Sequence, residues 1–131
     1  MTFVDSSVWI DWIRGTATSQ TRVLDELMTT QRVLVGDLVL AEVLQGFANP
    51  GEYNRTRSWM TQLDLVEVAG VEIALASAAN HRRLRALGVT PRRTIDTLIA
   101  TRCLHEGWPL LASDRDFQPF AEHLGLDLVT P

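Results

Sequence analysis

Phe3-Val4-Asp5-Ser6-Ser7 is the stretch that decides the fold. An aromatic and a β-branched residue suit a strand packed on both faces, and the polar triplet behind them passes the chain from strand to helix. Ser6 is placed to cap a helix over Ser7–Ile13, in which Trp9, Trp12 and Ile13 share one face at i, i+3 and i+4. Asp5 therefore stands at the carboxyl end of a strand. In open α/β sheets that edge is where ligands bind.

The alternation continues outward from this point. An amphipathic helix is expected over Ser19–Thr30, with Val23, Leu24, Leu27 and Met28 on one stripe. Arg32–Val35 reads as a second strand, closed by Gly36. Asp37 is placed to cap a helix over Leu38–Phe47, which is apolar nearly all round and so reads as buried. Asn49-Pro50-Gly51 is a turn, and a polar helix follows over Glu52–Leu63, with Trp59 and Met60 near its end. Leu65–Val68 gives a third strand. The Ala-rich segment Val71–Leu87 is a helix stopped by Gly88, and Thr94 caps another over Ile95–His105. A strand at Leu110–Ala112, a short helix at Gln118–Leu124 and a strand at Leu126–Val129 complete the chain. Strands that alternate with helices imply a three-layer α/β/α sandwich around a central, mainly parallel sheet of about five strands. No repeat or linker divides residues 1–131, so one domain is expected.

Composition narrows the functional classes. An apolar fraction of 46% and a charged fraction of 21% describe an ordinary globule. No apolar run approaches the roughly 18–20 residues of a membrane span, so no membrane partner is expected. No basic flank precedes an apolar segment at the N-terminus, and the expected location is the cytoplasm. Cys103 is the only cysteine, which excludes an internal disulfide and a thiolate metal cluster. The formal charge of −4 argues against nucleic acid, but all twelve basic residues are arginine. Arg82, Arg83, Arg85, Arg92 and Arg93 crowd together. They form either a solvated helix end or a patch whose guanidinium forks match phosphate oxygens.

Acids occupy places that the apolar pattern does not require. Asp5 ends the first strand, and Glu42 lies inside the apolar helix. Asp96 is in the first turn of a helix, and Asp114 and Asp116 follow directly on a strand. Taken singly, each has a plain explanation as a cap, an ion-pair partner or a turn acid. Together they fall at one edge of the expected sheet, where parallel strands let them converge. Carboxylates that close repel one another unless a cation sits among them. Oxygen-only ligation suits Mg²⁺ or Mn²⁺ rather than Zn²⁺.

The ordered set Val4-Asp5-Ser6-Ser7-Val8-Trp9-Ile10-Asp11, Ala41-Glu42-Val43, Ile95-Asp96-Thr97-Leu98-Ile99-Ala100 and Leu110-Leu111-Ala112-Ser113-Asp114-Arg115-Asp116-Phe117 resembles the PIN-domain proteins, in particular the small ribonuclease toxins of VapC type. The resemblance runs over essentially the whole chain. It implies a Mg²⁺- or Mn²⁺-dependent endoribonuclease with Asp5, Glu42, Asp96 and Asp114 on the acidic active-site positions and Asp116 as a further member. Of these, Asp5, Asp96, Asp114 and Asp116 are the expected metal ligands, and Glu42 either binds metal or orients the attacking water. Ser7 falls where the family keeps a small polar residue. The family often has Thr or another polar residue where this chain has Ala112, a departure for which Ser113 is the substitute. Arg92 and Arg93 directly precede the Asp96 helix and, with Arg82 and Arg85, are expected to meet the RNA substrate. The resemblance also implies a cognate VapB-like antitoxin and a homodimer, for which the helix bearing Trp59 and Met60 is a candidate surface.

Two other classes with an acidic pocket on a parallel sheet fit less well. A phospho-accepting receiver domain uses a Lys beside its Asp, and this chain has none. A haloacid-dehalogenase-like phosphatase places a second Asp two residues after the first, where Ser7 stands. A catalytically inactive PIN-like module that binds RNA or protein is the remaining alternative. Metal-dependent cleavage separates it from the nuclease.

Overall fold

The computed structural model describes residues 1–131. Its centre is a sheet of four parallel strands in the order β3-β2-β1-β4. These are β1 (Thr2–Val4), β2 (Val33–Gly36), β3 (Asp64–Val66) and β4 (Leu110–Leu111). β1 lies inside the sheet, with Phe3 opposite Leu34 on one side and Leu110 on the other. Phe3 and Val4 are fully buried, as a strand covered on both faces requires.

Seven helices flank the sheet: α1 (Ser6–Arg14), α2 (Ser19–Thr30), α3 (Asp37–Leu44), α4 (Pro50–Met60), α5 (Val71–Ala86), α6 (Thr94–Glu106) and α7 (Gln118–Leu124). α1 packs on α2 and α3, and α3 on α4, while α5 packs on α6 and α7. This division follows from the connections. The chain steps from β1 to β2 to β3 in one direction and then crosses back beyond β1 to β4. Right-handed crossovers running in opposite directions place their helices on opposite faces. The reversal makes the gap between β1 and β4 the topological switch point, where side chains at the strands' carboxyl ends face a crevice.

The expected fifth strand is reduced to one bridge, Leu110 with Leu128. β4 offers only two residues, and Pro131 carries no N–H to extend a ladder. Local boundaries also move. Asp5, not Ser6, is the N-cap of α1, and Asp37 and Thr94 are the first helical residues of α3 and α6 rather than their caps. Asn49 caps α4 through hydrogen bonds from the N–H groups of Gly51 and Glu52, so Pro50 opens the helix instead of sitting in a turn. α3 is less buried than its apolar sequence suggests. Only Val39 and Val43 are fully enclosed, because part of its apolar surface faces a groove shared with α1 and α4.

The junction between β2 and α3 depends on Gly36. A Cβ there would stand 2.5 Å from Val68 Cγ2 and 2.6 Å from Phe3 Cζ. The missing side chain lets β2 turn into α3 directly beneath the core. α1 and α4 are joined by aromatic contacts, with Trp12 and Trp59 stacked at 5.1 Å and Trp9 meeting Trp59 edge-on at 5.7 Å. Met60 is wholly buried beside them, so it offers no surface to a partner.

Candidate active site

Asp5 leaves β1 in extended conformation and caps α1. One carboxylate oxygen, Oδ2, accepts hydrogen bonds from the Ser7 hydroxyl at 2.7 Å and the Ser7 N–H at 3.2 Å. The other, Oδ1, is buried and has no hydrogen-bond partner. Capping thus accounts for half of this group. Burial pushes the Asp5 pKa above the usual carboxylate range, against the opposing pull of the Ser7 hydrogen bonds.

Ser7 also fixes the neighbouring strand end. The Ser113 N–H donates to Ser7 Oγ at 3.2 Å, which ties the loop after β4 to the loop after β1. Ser113 contributes through its backbone, since its buried hydroxyl has no partner. The next residue, Asp114, caps a 3₁₀ turn (Arg115–Phe117) by accepting from the Asp116 N–H at 2.9 Å. This turn holds Asp114 and Asp116 side by side at the switch point.

Asp96 arrives from the first turn of α6 and is 2% exposed. Carboxylate oxygens of Asp96, Asp114 and Asp116 lie within 4.8 Å of one another. Oδ1 of Asp96 accepts from Arg93 at 3.0 Å, whereas Oδ2 is buried without a partner. Burial raises its pKa to about 6, opposed by the Arg93 hydrogen bond and charge and reinforced by the charges of Asp5 and Asp114. Glu42 completes the set from α3. Ser6 Oγ donates to its Oε1 at 3.3 Å and Arg93 to its Oε2 at 3.2 Å. Its pKa is raised by desolvation first and by the Asp5 charge second.

The structure therefore brings the five sequence-predicted acids, Ser7 and the Ser113 backbone together. The arginines divide into two groups. Arg92 donates to both oxygens of Asp116 at 2.9 Å, and Arg93 bridges Glu42 and Asp96. Both point inward to carboxylates rather than outward as free phosphate contacts. Arg82 and Arg85 lie exposed on α5, with no carboxylate within 4.0 Å. Sequence reading missed Ser6 as a partner of Glu42, because Ser and Asp are equally good caps and the cap position went to Asp5.

The chemistry of the cluster suits a hard divalent cation. All its donors are oxygens, and the unpartnered buried oxygens of Asp5 and Asp96 are the costly groups that a cation would satisfy. Asp96, Asp114 and Asp116 have the spacing to hold one.

Comparison with known proteins gives one consistent answer. The family model described as PIN domain matches residues 2–123. A curated relative, "Ribonuclease VapC11" of Mycobacterium tuberculosis, is 24% identical over 123 residues, covering 92% of each chain. Among solved structures, VapBC2 of Rickettsia felis bound to a promoter DNA fragment aligns with a TM-score of 0.75 at 16% identity, covering 98% of this chain and 96% of that one. M. tuberculosis VapC20, described as a sarcin-ricin loop cleaving toxin, aligns over the whole of both chains with a TM-score of 0.69 at 15% identity. At these identities the solved structures speak to the fold.

Proposed function

Because this chain belongs to the PIN domain family, we propose that it is a Mg²⁺- or Mn²⁺-dependent endoribonuclease of VapC type, with residues 1–131 acting as one nuclease domain. The observation that carries this reading is the pair of buried, unpartnered oxygens on Asp5 and Asp96 inside a cluster of acids at the sheet's switch point. The curated relative's description as a ribonuclease supports the reaction class.

In this reading Asp5, Asp96, Asp114 and Asp116 hold the ion, which when bound activates water and offsets charge on the phosphodiester. Glu42, held between Ser6 and Arg93, stands at the margin of the cluster, and its raised pKa suits a group that takes a proton from the attacking water. Ser7 fixes the orientation of Asp5, and Ser113 locks the β4 loop against it. Arg82 and Arg85 are free to contact RNA phosphate.

The partner assigned to the chain is a VapB-like antitoxin, in keeping with the toxin–antitoxin complexes among its structural neighbours. A cavity of about 540 Å³ between α1, α3 and α4, with Ile10, Ile13, Val43 and Phe47 as apolar walls and Arg55 at its rim, suits the apolar face of an antitoxin helix. A homodimer is assigned from the same resemblance.

The test is cleavage of a structured RNA pool by the purified chain with Mg²⁺ or Mn²⁺, with chelator, and with Asp96→Asn. The expected result is cutting that needs the metal and falls by at least about 10²-fold in the variant. Cutting that survives chelation or the substitution would overturn the site. A folded chain that binds RNA in this pool and never cuts would return it to the binding-module class.

A further inference from the structure

The two guanidiniums that pair with the acidic cluster from its solvent side come from adjacent residues of one loop. Arg93, about half exposed, bridges Glu42 and Asp96, and Arg92 lies across both oxygens of Asp116. They reach three of the five acids, and two of those, Asp96 and Asp116, belong to the group spaced to hold a cation. The loop that carries them runs from Gly88, in the left-handed region at φ +87°, through Pro91 to Arg93, the N-cap of α6. Val89 packs against the core, while Thr90, Arg92 and Arg93 are exposed. Five acids with two buried, unpartnered oxygens and only two resident cations form a partly neutralised site.

We propose that Arg92 and Arg93 are internal counter-ions that hold the cluster together in the metal-free protein and must yield carboxylate oxygens to the divalent cation. This rests on the metal-site reading above and adds how its affinity is set. Oδ1 of Asp96 cannot fully accept from Arg93 and ligate a metal at once, and Arg92, which donates to both oxygens of Asp116, competes for that carboxylate in the same way. Metal binding is therefore an exchange of one cation for another. The released guanidiniums then stand beside the loaded site, positioned for an anionic substrate. Arg93 acts through the carboxylates it holds, so it is a positioning residue.

The experiment is Mn²⁺ titration of the full-length chain, reading free Mn²⁺ by electron paramagnetic resonance, on wild type, Arg93→Gln, Arg115→Gln and Asp96→Asn. Arg93→Gln is expected to bind about five-fold more tightly, the gain from removing one solvent-screened competitor. Arg115→Gln removes an equal charge on the adjoining turn from a residue that pairs with no carboxylate, and is expected to change affinity less than about two-fold. Unchanged or weaker binding by Arg93→Gln overturns the proposal, as does an equal gain in Arg115→Gln, which would mean a general field. Equal binding by wild type and Asp96→Asn would remove the metal site itself. A second measurement needs no variant: the Arg93 side-chain Nε–H resonance of the wild type is expected to shift on adding Mg²⁺, and a stationary resonance overturns the exchange.

Discussion

Asp96 is under two opposed demands: a ligand must be ionised, and burial favours the protonated acid. Its pKa rises from 3.8 to about 6, mainly through desolvation. A carboxyl whose pKa is higher in the folded protein than in the unfolded chain stabilises the fold when protonated. That contribution is fully present below the unfolded value and is lost as pH rises through about 6. The metal-free protein is therefore expected to gain stability on going from pH 7 to pH 5, by about 1 kcal/mol from Asp96. Asp5 and Glu42 are shifted in the same direction and add to it. Urea unfolding at pH 5, 6 and 7 measures this, and Asp96→Asn should flatten the dependence; stability that climbs with pH across this window would contradict it. At this scale the identity of the acids was legible in the sequence, because each sits where the apolar pattern breaks. Their pairing was not. Arg93 stands three residues before Asp96, a spacing the sequence displays, but its contact with Glu42 spans 51 residues and exists only in the fold.

Elements were legible to the degree that their signals were local. The amphipathic stripe of α2 and the glycines after α1, α6 and α7, all in the left-handed region, mark their helices within the chain itself. The last strand was misread because its apolar residues satisfy the pattern while its partner, β4, is too short to extend a ladder. Trp59 reads from sequence as a docking residue or a core lid, and in the structure it is half-buried and stacks on Trp12 in the α1–α4 contact. Gly36 is the case in which one residue governs an element junction. Its φ of −72° suits any residue, so the constraint is space and not conformation. Gly36→Ala is expected to destabilise the protein by about 1–3 kcal/mol, the range for overpacking an enclosed core. The displaced groups would be Phe3 and Val68, and through Phe3 the strand that delivers Asp5. Equilibrium denaturation gives the energy. An unchanged denaturation midpoint would show that the ring and the valine can move aside freely.

For the molecule as a whole, the question is how a chain of formal charge −4 approaches a polyanion. The acids at the switch point hold much of the negative charge in one place, and Arg92 and Arg93 partly cancel it there. The basic residues left without carboxylate partners lie elsewhere, with Arg82 and Arg85 exposed on the last two turns of α5. That helix leads through the loop to Arg92, which pairs with Asp116 at the acidic cluster. The parallel order β3-β2-β1-β4 creates this arrangement, because its reversal brings the start of α6 and the ends of β1 and β4 to one crevice. If Arg82 and Arg85 contact phosphates of single-stranded RNA, each displaces bound counter-ions, and the slope of log K against log salt carries about −0.7 per contact. Arg82→Ala with Arg85→Ala is therefore expected to make that slope shallower by about 1.4 while leaving Mn²⁺ affinity unchanged. RNA binding measured across a salt series in Ca²⁺, to hold cleavage in check, gives the slope. A slope identical to wild type would make these arginines a solvated helix face and leave substrate capture to the arginines at the cluster.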